Sequence, residues 1–224
     1  MESVSRNLRP GPFTSRILGR RWLSPTAFEL RLERPSGFDF QPGQRVRLAS
    51  GPNERDYSIA AAPADPEVVL CIRRVAGGAV SGWLATAGIG TAISCSGPHG
   101  YFTLKPSPRP AIFVATGTGV APFVSMAKAG AEGFMLLHGV RRAEDLFYRD
   151  LLSAAARRYM ACLSQDAPAD PEVLTGRVTR HLERQVPPGA CDFYLCGRSE
   201  MIRDVTWRID ERFAGSRVYS EIFY

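Results

Sequence analysis

The sequence predicts a β + α/β protein built from two successive parts, and three observations carry that prediction. The first half is a series of short apolar runs punctuated by Gly and Pro, the rhythm of strands joined by tight turns. The second half alternates strand-like apolar runs with segments of helical period, the rhythm of a parallel sheet covered on both faces. Between them stands Lys105-Pro106-Ser107-Pro108-Arg109-Pro110, whose three alternate prolines lack the N–H groups that a strand interior needs. A length of 224 residues accommodates one large domain or two compact ones. The boundary is placed at residue 106, giving parts 1–106 and 107–224.

In the first part, residues 27–32, 45–48, 68–75 and 91–94 read as strands of a meander or barrel. In the second, residues 111–115 read as a strand, 120–129 as a helix, 134–140 as a strand and 145–159 as an amphipathic helix. A helix over 178–184, a strand over 193–196, a helix over 200–213 and a last strand over 218–220 complete the alternation.

Composition excludes several classes. Hydrophobic residues make up 45% and charged residues 22%, ordinary globular usage, which argues against a disordered or collagen-like chain. No apolar run approaches the ~18 residues of a membrane span, and the opening MESVSRNLRPGPF has no apolar stretch of signal-peptide type, so a cytoplasmic protein without membrane contact is expected. The net charge is +6, and all basic residues except Lys105 and Lys128 are arginines. Such an excess suits nucleic acid, an anionic cofactor or an acidic protein partner equally. The five cysteines, at 71, 95, 162, 191 and 196, form no CxxC pair and have no zinc spacing, so free thiols and no metal are expected. Cys191 and Cys196 have the first spacing of a plant-type iron–sulfur site, but no C-x2-C follows. His99, His138 and His181 are scattered, and His138 reads as a satisfied residue closing an apolar strand.

Three segments carry chemistry. In the strongest, the strand over 111–115 runs into Gly117-Thr118-Gly119-Val120-Ala121-Pro122 and a helix. Two glycines permit a tight turn and close approach of a ligand, and Pro122 suits the first turn of a helix whose free N–H groups attract phosphate. The three-glycine dinucleotide fingerprint and the P-loop Lys-Ser/Thr are both missing. The second segment, Arg55-Asp56-Tyr57-Ser58-Ile59, read as following a strand, offers a phosphate clamp, a flat ring and a small hydroxyl. In the third, Cys71-Ile72-Arg73-Arg74 leads to Gly77-Gly78-Ala79-Val80-Ser81, a glycine turn feeding a short helix. Each segment alone is also compatible with plain structure, and the Arg55–Ile59 stretch by itself reads first as a surface strand.

Taken in order, the segments resemble the ferredoxin–NADP reductase superfamily. The family's R-x-Y-[ST] flavin motif corresponds to Arg55, Tyr57 and Ser58, and its glycine-led pyrophosphate helix to Gly77–Ser81. G-P-x-G-x-F corresponds to Gly97, Pro98, Gly100 and Phe102, and G-T-G-x-x-P to Gly117, Thr118, Gly119 and Pro122. C-G-x-x-x-M corresponds to Cys196, Gly197 and Met201, and the E-x-aromatic end to Glu221 and Phe223. The resemblance covers residues 14–224. It implies an antiparallel six-stranded flavin-binding barrel followed by a Rossmann-like, parallel-sheet nucleotide domain.

The implied activity is that of a flavin-dependent NAD(P)H oxidoreductase. NADPH reduces FAD, with FMN the rival flavin, and electrons pass to a separate one-electron carrier such as ferredoxin or flavodoxin. By the same resemblance Ser58 bonds near the flavin N5, Tyr57 packs along the isoalloxazine, and Arg55 with the amides of Gly78, Ala79, Val80 and Ser81 holds the pyrophosphate. The preceding Cys71, Ile72 and Arg73 are grouped with this flavin site, although the thiols of Cys71, Cys95, Cys162 and Cys191 are read as structural. Cys196 lies beside the nicotinamide C4 and Glu221 closes a polar network with Ser58, which makes Ser58, Cys196 and Glu221 the candidate catalytic residues.

Departures from the family pattern matter at two places. The chain ends in two aromatics: Phe223 occupies the family position for covering the flavin, with Tyr224 as the alternative flavin-covering residue. Members that prefer NADPH often carry an Arg where Leu163-Ser164-Gln165-Asp166 has Gln165, yet Arg177 matches a second phosphate position and Arg141-Arg142 follow a strand end. NADPH is therefore preferred, with NADH as the alternative. The alternative functions are an NADH-dependent reductase component of an oxygenase, a free-flavin reductase, or an electron-transfer subunit of a larger complex such as that of dihydroorotate dehydrogenase. The C-terminal cysteine cluster of that last family is missing after Cys196. An acidic redox partner would suit the positive charge. A monomer that binds no nucleic acid is expected.

Overall fold

The computed structural model describes residues 11–223. Six strands form the first unit: β1 (Pro12–Ser24), β2 (Ala27–Glu33), β3 (Arg45–Ser50), β4 (Asn53–Ser58), β5 (Glu67–Arg73) and β6 (Ala92–His99). They pair antiparallel in the order β4-β3-β6-β1-β2-β5. The two outer strands then meet through the Ile59–Leu70 bridge and the Ala60 N–H bonded to Val69 O at 2.7 Å, which closes the sheet into a barrel. Phe28, Leu30, Leu48, Ile72 and Ile93 fill it. A single short helix, α1 (Ala79–Leu84), crosses between β5 and β6.

The second unit is a parallel sheet of β7 (Ala111–Thr116), β8 (Met135–Val140), β9 (Arg158–Leu163), β10 (Leu174–Thr175), β11 (Asp192–Arg198) and β12 (Arg217–Phe223), in the order β10-β9-β8-β7-β11-β12. The connecting helices are α2 (Ala121–Lys128), α3 (Arg149–Ala155), α4 (Val178–Gln185) and α5 (Ser199–Arg212). Strands buried on both faces read as continuous apolar runs, and β7 shows why. Ile112 and Val114 face α4 and α5, while Phe113 and Ala115 join the core shared with the barrel. Phe102 sits in that joint, 5.9 Å from the Phe123 ring and 6.0 Å from Tyr194. Polar bonds span it as well: Ser24 Oγ donates to Asp145 Oδ1 at 2.9 Å and Tyr148 Oη to Glu29 Oε2 at 3.0 Å. The proline-rich stretch between the sheets is tied down by the Lys105 N–H, which donates to Tyr194 Oη at 2.9 Å.

Several sequence expectations need correction. The helix expected over 145–159 is only Arg149–Ala155: Tyr148 before it is left-handed (φ 57°), and Ala156 after it is extended. Arg158 and Tyr159 belong to β9, whose pairing with β8 draws them out of the helical pattern. The expectations list neither β1 nor β10. In β1 the inward positions include Ser15 and Gly19, so its alternation is invisible to hydropathy. Arg55, Tyr57 and Ser58 lie on strand β4 itself, not after a strand. His138 is interior to β8, two residues short of its end.

Candidate active site

The two units converge on Ser58 and Glu221. Ser58 ends β4 on the barrel, Glu221 lies on β12 at the sheet edge, and both are buried. Ser58 Oγ donates to Glu221 Oε2 at 2.8 Å, while Arg45 NH1 donates to Glu221 Oε1 at 2.6 Å. Arg45 Nε also reaches Asp56 Oδ2 at 3.0 Å, and Arg47 Nε reaches Asp56 Oδ1 at 2.7 Å. Against the cost of burial, these hydrogen bonds and charges hold Asp56 below the usual carboxylate range. Cys196 on β11 is the register partner of Glu221, and it is fully buried. Burial first, and the Glu221 charge second, push its thiol well above the ordinary value, so it is a neutral S–H.

The turn after β7 opens onto the same edge. Gly117–Val120 form one 3-10 turn that runs into α2, with Pro122 in the first helical turn. A Cβ at Gly119 would lie 2.4 Å from the Cys196 carbonyl oxygen, so only glycine lets the turn lie against β11. His138 supports it from below: Nε2 faces Gly117 O at 3.3 Å and Nδ1 faces Tyr159 Oη at 2.9 Å. Burial lowers the imidazole to about 4, so the ring is neutral, and these partners assign the proton to Nε2. The Arg198 N–H donates to Thr116 Oγ1 at 3.1 Å, tying the end of β11 to the end of β7 beside Gly197.

Cations ring this edge. Arg141 and Arg142 follow β8, Gln165 follows β9, and Arg177 follows β10, all at the carboxyl ends of neighbouring parallel strands, where open α/β sheets bind ligands. Arg73 ends β5 on the barrel side. Burial and the positive fields of Arg198 and Arg141 hold its guanidinium below the usual arginine range, which brings these three arginines into one cluster. The cluster contains no ion pair among the described residues. Arg55 is exposed and, among the described residues, its side chain bonds only its neighbour's carbonyl, Glu54 O, at 2.7 Å. Tyr57 is half-buried, and burial pushes its phenol up to about 12, so it presents a neutral ring. The Val75 N–H donates to Ser81 Oγ at 3.1 Å, which folds the turn at Gly77 and Gly78 back on α1.

The residues fit a flavin dinucleotide and a nicotinamide dinucleotide on geometric grounds. At Gly77 and Gly117 the backbone is left-handed and the space a side chain would take is open, leaving two bare turns for phosphate to approach. Some expected site residues do not turn side chains toward the cleft. Cys71, Ile72 and Val80 are packed in the barrel core, with the Cys71 thiol against Tyr148 and pushed up to about 12 by burial. Pro122 is buried in α2, and Met201 is buried on the inner face of α5. Ala79 is exposed at the start of α1 and Thr118 half-buried in the 3-10 turn. Phe223 closes β12 opposite Arg198 and packs on the shared core; Tyr224 lies outside the described residues. Arg45 and Arg198 were not singled out from the sequence. Only Arg198, adjoining Cys196-Gly197, had a motif beside it to draw attention.

The comparisons agree with this geometry. Residues 24–104 match the family model described as an oxidoreductase FAD-binding domain, and residues 113–206 that of an oxidoreductase NAD-binding domain. The chain is 43% identical over 176 residues to ferredoxin–NADP reductase B of Sorangium cellulosum, covering 70% of this chain and 72% of that protein. It is 34% identical over 210 residues to the toluate 1,2-dioxygenase electron transfer component of Pseudomonas putida, covering 87% of this chain but 62% of that longer protein. In fold it resembles the crystal structure of a ferredoxin NADP+ reductase from Neisseria gonorrhoeae with bound FAD and NADP, with a TM-score of 0.84 and 21% identity over 95% of this chain and 99% of that one. With both domain models matched in order and the Sorangium reductase aligned over most of its length, the chain belongs to the ferredoxin–NADP reductase superfamily of FAD- and NAD(P)-binding oxidoreductases.

Proposed function

We propose that this chain takes hydride from NADPH at an FAD held by the barrel and passes the electrons one at a time to a separate redox protein. The observation that carries the reading is the buried Ser58–Glu221 bond, which joins the barrel to the nucleotide sheet with Cys196 alongside. Bound FAD supplies the conversion of a two-electron donor into single electrons. Tyr57 and Phe223 supply aromatic surfaces for the ring system. Arg55, with the amides at Gly78 to Ser81, clamps the flavin pyrophosphate by charge-assisted bonds. The Gly117 turn and the start of α2 receive the phosphates of the nicotinamide dinucleotide. Cys196 holds the nicotinamide at reacting distance, a contribution through orientation rather than acid–base chemistry, because its thiol keeps its proton.

The 2′-phosphate of NADPH would lie among Arg177, Arg141 and Arg142. A second reading, an NADH-linked reductase component of an oxygenase, is favoured by one feature: Asp166 Oδ2 accepts from the Ala143 N–H at 3.1 Å, setting an acidic group beside Arg141 and Arg142 next to Gln165. The Sorangium and Pseudomonas relatives support a ferredoxin and an oxygenase component, respectively, as acceptor classes. One copy of the chain carries every residue named, so a monomer suffices. The division at residue 106 assigns flavin binding to 1–106 and nucleotide binding to 107–224, supported by a first sheet ending at His99 and a second beginning at Ala111. Five buried free thiols support a reducing, cytoplasmic setting. Acid release of the chromophore followed by chromatography tests the reading: FAD is expected. FMN would remove the pyrophosphate role of Arg55, and a colourless protein that cannot be reconstituted would overturn the function.

A further inference from the structure

Arg45 is the feature of the site that no motif assigns. Its guanidinium is gripped between two carboxylates, Glu221 at 2.6 Å and Asp56 at 3.0 Å, and Asp56 is itself pinned by Arg47. A methyl group added at Gly100 would come 2.8 Å from Arg45 NH1 and 3.7 Å from Glu221 Oε1, so the chain from β6 is shaped around this pair. The second oxygen of Glu221 accepts from Ser58.

Resting on the function proposed above and on the family resemblance, which sets Ser58 near the flavin N5, we propose that Arg45 is a positioning residue that fixes the direction of the Ser58 hydroxyl and so favours the reduced form of the bound flavin. A carboxylate has only acceptor sites and a serine hydroxyl carries one hydrogen, so Arg45, by gripping Glu221 Oε1, holds Oε2 in place as the acceptor of Ser58. Without that grip the carboxylate is free to swing away and the hydroxyl to turn. That hydrogen points to Glu221. Toward the flavin, Ser58 Oγ then presents lone pairs alone. N5 of an oxidised flavin is also an acceptor and gains nothing from such a neighbour. After one hydrogen and two electrons have moved from nicotinamide C4 to N5, leaving the nicotinamide ring oxidised, N5–H is a donor and Ser58 accepts from it. Arg45 thus acts through Glu221 and Ser58, without touching the flavin.

Glu221→Gln separates this effect from simple charge. The carboxamide keeps its oxygen on Arg45 and donates its NH2 to Ser58, which turns the hydroxyl hydrogen toward N5 and favours the oxidised form. Loss of a negative charge by itself would instead favour the reduced form. The experiment equilibrates each FAD-loaded protein with a redox dye of matched potential and reads the reduced-to-oxidised flavin ratio. Glu221→Gln and Arg45→Met are each expected to lower that ratio about tenfold, ~30 mV for a two-electron couple. The double variant should go no further than either single change, and Arg45→Lys should stay within about threefold of wild type. The near-isosteric Glu221→Gln carries the test if Arg45→Met does not fold. A ratio raised or unchanged in Glu221→Gln would overturn the inference while leaving the proposed function standing. Wild-type protein that holds no flavin would overturn both.

Discussion

Cys196 and Glu221 face one another as register partners on the parallel strands β11 and β12, and the carboxylate charge adds to burial in keeping the Cys196 thiol protonated. The Cys196 side chain is fully buried and offers no charge at this edge.

Cys196→Ala should therefore lower the rate of hydride transfer by about ten- to hundredfold through misplacement of the reacting ring, with little change in nucleotide affinity. Stopped-flow reduction of the FAD-loaded protein at varied NADPH measures both quantities. A raised KM with unchanged kcat would show that Cys196 binds rather than orients.

His138 gives stability a pH dependence. Its imidazole titrates near 4 in the folded protein and near 6.5 when exposed, so between those values the unfolded chain binds more protons. The contribution is complete above pH ~6.5 and declines as pH falls toward ~4, by up to about 3 kcal/mol. Denaturant unfolding at pH 7.5 and 4.5 should show a smaller loss for His138→Gln than for wild type. Equal losses would mean that the imidazole is not buried in neutral form.

Arg177 stands at the N-cap position of α4, exposed, at the carboxyl edge of the sheet. If it holds the 2′-phosphate, Arg177→Ala removes one charge-assisted bond worth about 1.5–3 kcal/mol, roughly ten- to hundredfold in affinity. kcat/KM for NADPH should fall by that factor and kcat/KM for NADH should hardly change. Equal losses with both nucleotides would assign Arg177 to structure or to the shared pyrophosphate, and a wild-type preference for NADH would give the decision to Gln165.

The sequence by itself determined the parts of this protein whose physics is local. Gly117, Gly119 and Pro122 announce a turn and a helix start because backbone freedom, its loss, and a missing N–H are properties of single residues. The doubly buried strands β7, β8 and β11 announce themselves as mostly apolar runs because both faces are covered, with His138 a buried exception held by two hydrogen bonds on β8. Only the tertiary structure decided the rest. β1 escaped hydropathy because Ser15 and Gly19 face inward, and a helix pattern continued into β9 because the pull of a neighbouring strand is not written in local periodicity. Met201 keeps its motif position yet lies in the core, since a motif records spacing and not the direction of a side chain. Arg45 had no local mark at all. Its partner Glu221 is 176 residues away, and an ion pair acquires meaning only when the barrel and the sheet edge bring two charges within 2.6 Å, with the carboxylate buried and the arginine half-buried.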